Sequence, residues 1–347
     1  MKYDAEKIKS FCERVMESAG VGHRDAALFS SCLVTADMRG MHSHGVTRLK
    51  TYYQRCRMGL VDPKGVPAIV RDTPSLLIVD GNNSLGTVSA AFAMEKCVFR
   101  AKENGVCFAA VRGGNHFGIA AYYAHIAAQN GMIGIACANG PVAIPAIGGA
   151  QPVLGTSPLA ITVPSPEGLP IDLDMATSVV ARGKIKLAQK EGKPIPEGWG
   201  IDANGRSTTD PNQVQYLLPF GGPKGFGIGL IIEILCSCLS GAKNAMTMGS
   251  LYDLSGTHQE SGFFLGALNV GAVMDLDAFT SSVGELAAAI KASKRREGVS
   301  EILMPGELEL RRHDQAAQEG IDIGPAVIEE LEQLAKECGV TFDCEKK

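Results

Sequence analysis

No CxxC pair occurs among the ten cysteines of this 347-residue chain, and their spacing follows no pattern. The N-terminal stretch MKYDAEKIKSF is charged and helical in pattern, without the apolar run of a secretory signal. With neither a framework spacing nor an export signal, disulfides are not expected. The cysteines read as small core residues of a reduced, cytoplasmic protein. No apolar run is long enough to cross a bilayer: residues 225–239 come nearest and are interrupted by Glu233, so a buried helix is predicted there. Charge is sparse, at 20% of residues with a net charge of −4. No basic stripe or aromatic–basic interleaving is present, so neither nucleic acid nor membrane is an expected partner. A GxGxxG fingerprint after a first strand is absent too, which argues against a standard Rossmann dinucleotide site. Internal repeats and low-complexity tracts are also missing.

What is present is ample apolar material. Hydrophobic residues make up 45% of the chain, enough for one large domain or two to three interlocked ones. Forty-one glycines cluster with prolines between the apolar runs and predict many tight turns. The period of Ile8, Phe11, Cys12, Val15 and Met16 predicts a helix over 4–19, closed by Gly20. Further helices are expected over 24–38 and 47–58. From about residue 68 strands (76–80, 106–111, 133–138, 159–164, 170–174, 263–270) alternate with helices (87–103, 119–129, 178–191, 224–240). This is an α/β pattern, with parallel pairing expected for some strands. Residues 193–223 have little regular pattern and suggest a flap or a partner contact. Helical periods return over 277–293 and 325–338. The division expected is an N-terminal helical segment, 1–66, carrying a catalytic turn; a cofactor-binding α/β domain, 67–276; and C-terminal helices, 277–347, that pack with the N-terminal segment as a discontinuous helical layer.

Chemistry concentrates in residues 37–48, Asp-Met-Arg-Gly-Met-His-Ser-His-Gly-Val-Thr-Arg. The segment falls between two predicted helices and supplies two imidazoles, a hydroxyl and guanidinium groups. Histidine changes charge near neutral pH, so His44 beside Ser43 suits acid–base work. Arg48 follows His44 by four residues, a spacing that puts both on one face of a helix start, and a guanidinium grips a carboxylate with two bonds. Arg39 reads as structural. Two other readings compete for the histidines: a purely structural role, or a metal site in which Asp37 and His116 complete a set begun by His42 and His44. The metal reading corresponds to a metal-dependent hydrolase or lyase. A non-catalytic metabolite-binding protein is a third class.

Four further segments stand out. Asn115-His116-Phe117-Gly118 follows a strand and precedes a helix, where ligand loops often lie. Asp174, at a strand end, suits either a helix cap or a ribose hydroxyl. Lys224 precedes the glycine-rich opening of an apolar helix, where a phosphate is one reading and helix packing the other. Met304-Pro305-Gly306-Glu307 is a turn by composition.

Taken together the segments resemble the malate/L-lactate dehydrogenase family that lacks the Rossmann fold. The matching text is ADMRGMHSHGVTR (36–48), GNHFGIA (114–120), GTSP (155–158), DMATSVVARGK (174–184), PIPEGWGIDANGRSTTD (194–210), GPKGFG (222–227) and MPGE (304–307), in the family's order and across nearly the whole chain. The resemblance implies a three-layer α/β/α fold with a mixed, non-Rossmann sheet, and a homodimer. It implies NAD-dependent, or NADP-dependent, interconversion of a 2-hydroxy acid and a 2-keto acid. A malate/lactate type is expected first, with ureidoglycolate or sulfolactate as the alternative. His44 would be the proton donor, supported by Ser43, with His116 at the nicotinamide–substrate junction as a second acid–base candidate. Arg48 would bind the substrate carboxylate and Thr156 would touch substrate. Tyr52, one turn past Arg48, is expected to contact the substrate's distal group. Cofactor contacts would come from His116, Phe117, Gly118, Asp174, Met175, Ala176, Arg182, Lys224, Gly306 and Glu307, with no resident metal. The imine-reducing branch carries a histidine-glycine-aspartate run where this chain has Arg182-Gly183-Lys184, which favours a hydroxy-acid substrate.

Overall fold

A computed structural model describes residues 2–166 and 170–345. The chain opens with a short strand, β1 (Lys2–Tyr3), and helices α1 (Ala5–Ser18), α2 (His23–Met38) and α3 (Leu49–Arg57). Strands β2 (Ala68–Asp72) and β3 (Leu76–Asp80), helix α4 (Gly86–Asn104), β4 (Val106–Gly114), α5 (Ala120–Ala128) and β5 (Met132–Ala138) follow. Next come β6 (Ile144–Pro145), β7 (Pro152–Leu154), β8 (Leu159–Val163), β9 (Ile171–Met175), α6 (Arg182–Glu191), β10 (Gly200–Ile201) and β11 (Tyr216–Leu217). The chain closes with α7 (Pro223–Glu233), β12 (Ser261–Asn269), α8 (Leu276–Ala292), α9 (Glu307–Glu319), β13 (Ile321–Asp322) and α10 (Pro325–Cys338).

Seven strands form one mixed sheet in the order β2-β3-β4-β12-β5-β8-β9. Only β3 and β4 run parallel, joined by the crossover helix α4; every other neighbouring pair is antiparallel. Alternation along β5 explains how the sheet is covered. Ala136 and Ala138 pack into the cluster with α4 and α5, whereas Cys137 between them packs with Ile232 and Cys236 on the other face. A second core joins the two ends of the chain: Phe11, Leu33 and Leu49 from the N-terminal helices pack with Ile321, Leu331 and Leu334. The sequence explains α1 directly. Asp4 caps it by accepting from the Glu6 and Lys7 amides, and all five periodic apolar residues are buried. Of the C-terminal helices, α10 lies in this second core and α9 runs along α2, whereas α8 buries none of its side chains.

Two helices differ from expectation. The helix expected over 178–191 begins only at Arg182, because the amides before it are engaged elsewhere: Thr177 N–H binds the Thr156 carbonyl and Val179 N–H the Leu218 carbonyl. The helix expected over 224–240 leaves α geometry at Ile234 and finishes as a π turn to Cys238. There the Ser237 hydroxyl donates to the Glu233 carbonyl and the Ser240 hydroxyl to the Cys236 carbonyl, in competition with the helix's own amides.

Candidate active site

The turn after α2 is built around a buried carboxylate. Asp37 accepts from the Val46 amide at 2.7 Å through one oxygen and contacts His42 Nδ1 at 2.9 Å through the other. The backbone closes so tightly over this carboxylate that a Cβ on Gly45 would overlap it, so glycine is required there. Folding the turn this way commits His42 to Asp37, which removes one ligand from the metal set of His42, His44 and His116. Among the described residues no group of three or more His, Cys, Asp or Glu side chains is arranged to hold a metal ion.

His44 ends the turn with Nδ1 2.9 Å from the exposed Ser43 hydroxyl. Its ring stacks on that of His116, centroids 5.7 Å apart and 21° from parallel, although the two lie 72 residues apart in the chain. Arg48 donates from Nε to the Ser43 carbonyl at 2.7 Å and lies over the Tyr252 ring at 4.8 Å. Neither Nη group has a hydrogen bond among the described residues, so the guanidinium's end is free to take a carboxylate in two parallel bonds. The imidazoles and the guanidinium therefore share one site.

The second histidine is more constrained than the first. The His116 amide donates to Gln259 Oε1 at 2.9 Å, and its Nδ1 receives the Gly118 amide at 3.3 Å and contacts the Tyr52 hydroxyl. Tyr52 is buried and burial drives its pKa far upward, so the phenol keeps its proton and donates it to Nδ1. With Nδ1 accepting, neutral His116 carries its proton on Nε2. Tyr52 therefore acts on His116 rather than being free for the substrate's distal group, a correction to the sequence expectation. Its spacing from Arg48 gave its helical face but not its partner.

Charge in the site favours neutral rings. Burial, then Arg48, lowers the His44 pKa to about 4; burial, then His44 and Arg48, lowers that of His116 to about 3. An unfolded histidine titrates near ~6.5. As pH falls from there, the unfolded chain takes up protons that the folded chain refuses. The pair's contribution to stability is complete above ~6.5 and is lost as pH falls through about 4 for His44 and about 3 for His116. Asp174 works in the opposite sense: burial, then Asp172, raises it to about 6, so its contribution is complete below ~3.9 and lost as pH rises through about 6. Imidazole NMR titration should give midpoints near 4 and 3 for His44 and His116; midpoints near ~6.5 would contradict this electrostatic account.

The expected cofactor residues are partly assembled beside these rings. The Asp174 carboxyl accepts from the Ala121 amide at 3.3 Å, that side chain's one hydrogen bond among the described residues, which sets it at the start of α5 near the His116 loop. Two residues earlier the Asp172 amide donates to the Pro305 carbonyl at 3.0 Å, which draws the Met304–Glu307 turn against β9. Gly306 has φ +82° and lies so close to Asp172 that a Cβ would collide. Glu307 is fully engaged: it accepts from the Met304 amide, Lys291 and Arg311, and its pKa is held to about 2, with burial opposing those hydrogen bonds. The Thr156 carbonyl receives the Thr177 amide and hydroxyl at 2.8 and 3.0 Å, tying the GTSP turn to the chain just past Ala176 at the end of β9.

Three further residues expected at the cofactor have other surroundings in the protein. The Phe117 ring is buried between Tyr123 and Phe263 at 4.9 and 4.7 Å, so its side chain belongs to the core because the loop must be anchored to the sheet. Arg182 opens α6 and donates to the Gln215 carbonyl at 2.9 Å, bracing the 193–223 segment. Lys224 borders an apolar cavity of about 610 Å³ between α7 and the sheet, with Cys137, Ile231 and Phe264. Gln259 and Tyr252 were not legible in the sequence, since each is far along the chain from the residue it contacts and neither lies in a motif.

A family model described as malate/L-lactate dehydrogenase matches residues 3–332. The chain is 34% identical to the malate/(S)-sulfolactate dehydrogenase of Methanothermus fervidus, covering 96% of this chain and 97% of that protein. It is 32% identical to the ureidoglycolate dehydrogenase (NAD(+)) of Escherichia coli strain K12, covering 93% of each. The solved sulfolactate dehydrogenase from Methanocaldococcus jannaschii superposes with a TM-score of 0.94 at 36% identity, covering 99% of both chains.

Proposed function

The chain belongs to the malate/L-lactate dehydrogenase family, and from that premise we propose that it interconverts a 2-hydroxy acid and its 2-keto acid, of the malate/lactate type, at the His44–Arg48 turn. It is an NAD-dependent oxidoreductase of hydroxy acids, with NADP an alternative carrier. The observation that carries the reading is the free Nη edge of Arg48 beside two stacked neutral imidazoles. A carboxylate gripped there sets an adjacent carbonyl against groups that hold and move a proton.

The residues present fit a dinucleotide. The Asp174 carboxyl, near-buried with one protein hydrogen bond, is an acceptor suited to a ribose diol, and it lies beside the start of α5. Met175, Ala176, Gly118 and the Gly306 turn would flank the same cofactor. NAD(P)H, when bound, supplies the hydride to the keto carbon; the protein's part is orientation and the proton.

Arg48 holds the carboxylate, and His116, locked by Tyr52 as the Nε2–H form, donates a hydrogen bond to the carbonyl oxygen. His44 supplies the proton. The Ser43 hydroxyl can either donate to or accept from His44 Nδ1, so the ring can exchange tautomers. In reduction Nε2–H goes to the oxygen, the Ser43 proton moves to Nδ1, and Ser43, which is exposed, is reprotonated by water. His44 stays neutral throughout, as a pKa of about 4 requires. Hydroxy-acid oxidation reverses each transfer.

Tyr52→Phe should lower kcat by about 5–10-fold, the worth of one hydrogen bond, with little change in KM for the keto acid. The readout particular to this role is the imidazole ¹⁵N spectrum: His116 should be the Nε2–H tautomer in wild type, and its Nδ1 resonance should shift when the Tyr52 donor is lost and the Gly118 amide remains. An unshifted Nδ1 resonance would remove Tyr52 from this role. We also propose a homodimer, since Ile231, Val273 and Leu286 present exposed apolar area on α7, before α8 and on α8. Among the described residues no helix is long and apolar enough to cross a membrane. The free cysteines support the reading of a reducing, cytoplasmic setting.

A further inference from the structure

A second polar cavity, of about 350 Å³, opens between α2, α5 and α9, and none of the residues placed in the active site lines it. Nine residues form its wall; seven carry a group able to donate a hydrogen bond, and none is acidic. Arg39 is the one permanent cation among them and is 3% exposed.

The hydrogen bonding behind Arg39 does not close. Nη2 pairs with Asp172, whose other oxygen accepts from the Thr162 hydroxyl at 2.7 Å. His125 Nε2 lies 3.0 Å from Arg39 Nη1 and 2.9 Å from Asp172 Oδ2. One ring nitrogen cannot accept from the guanidinium and donate to the carboxylate at once. If its proton faces Asp172, Nη1 has no acceptor, and Nε of Arg39 is buried with no partner in either case. A buried donor left without an acceptor is unfavourable, because it has given up its water without a replacement. Thr35 and Tyr122 stand beside Arg39 and His125, and His313, its Nδ1 3.5 Å from Asp314, stands opposite on α9, so the cavity is rich in donors.

We infer that this cavity is a binding site for a small oxyanion, the carboxylate or phosphate group of a metabolite, recognised by Arg39, Thr35, Tyr122, His125 and His313. The site communicates with the cofactor region by construction. Its roof, α9, follows directly on Gly306, and Asp172 behind Arg39 holds Pro305 through its amide. An anion bridging His313 to Arg39 would clamp α9 and hence the Met304–Glu307 turn.

Calorimetry of the full chain at constant ionic strength, with inorganic phosphate and malonate as probes and chloride as the control, tests this. The titration is run with saturating NADH present, so that a phosphate subsite of the cofactor is already filled. One site per chain is expected for at least one probe; phosphate alone assigns a phosphate-bearing ligand, malonate alone a carboxylate. Thr35→Leu, which fills the cavity, and His313→Ala, which removes its roof donor, should each weaken binding about tenfold or more, a loss of ~1.4 kcal/mol. Both should leave kcat unchanged, and neither touches the buried Arg39–Asp172 pair. No binding beyond chloride, or binding that both variants retain at wild-type affinity, would overturn the inference. Because binding rather than turnover is read, such a failure leaves the proposed reaction untouched.

Discussion

Replacing His44 with alanine should lower kcat by about 10²–10⁴, the usual worth of positioned proton transfer. Cofactor affinity should stay near wild type, because among the described residues no hydrogen bond or ion pair joins His44 to Asp174 or to the Gly306 turn. The loss should appear equally in kcat and kcat/KM, the signature of an interaction made in the transition state. Ser43→Ala should reproduce part of it, since Ser43 is the group through which the ring reaches water. A comparison with His116→Ala separates the two rings. With Nδ1 occupied by Tyr52 and the Gly118 amide, His116 has one proton to offer and no route to replace it quickly. Its removal should cost a hydrogen bond to the oxygen, not the proton itself. Pre-steady-state hydride transfer with deuterated solvent would measure this: a solvent isotope effect should be present in wild type and in His116→Ala, and absent where His44 is gone. If His44→Ala kept wild-type turnover on a substrate that the protein uses, the acid–base assignment would fall.

Arg48→Gln should be the second large effect, and of a different kind. A charge-assisted, bidentate contact with a carboxylate is worth about 1.5–3 kcal/mol, which is ~10–150-fold in kcat/KM. Since the carboxylate is held in both ground and transition states, most of that loss should fall on KM for the keto acid. Lysine should rescue little, because one ammonium cannot reproduce the two parallel bonds that the free Nη edge offers. Steady-state kinetics of Arg48→Gln and Arg48→Lys, varying the keto acid and then the cofactor, would check this. Unchanged KM for the acid with altered KM for the cofactor would move Arg48 to the other ligand.

Much of this site was legible because it is local. The HSHGVTR segment and its place between two helices came from residue order alone, and the 76–80 strand and 325–338 helix agree with their observed bounds. Strong periodicity, glycine stops and turn composition are properties of neighbouring residues. What was not legible is non-local. The strand β12 inserts between β4 and β5 from more than a hundred residues downstream, and it leaves a single parallel pair in the mixed sheet. The stacking of His44 on His116, the reach of Tyr52 to His116 and the bond from the His116 amide to Gln259 all join residues far apart in the chain, 64 positions for Tyr52 and 143 for Gln259. Arg39 pairs with Asp172, which lies 133 residues away and left no sign of that contact in the residue order. Phe117 and Arg182 show the converse: both sit inside motifs, yet the side chain of one fills the core and that of the other braces a loop.

The most direct measurement is consumption of NADH and of NADPH by the purified protein with oxaloacetate, 3-sulfopyruvate, glyoxylate and pyruvate, run beside His44→Ala and Arg48→Gln. The account predicts that the wild type reduces at least one of these acids in one-to-one stoichiometry with cofactor oxidised, that His44→Ala loses turnover, and that Arg48→Gln needs far more acid for half-maximal rate. A folded wild-type protein that oxidises neither cofactor with any of the four, or one whose activity survives both substitutions intact, would contradict it.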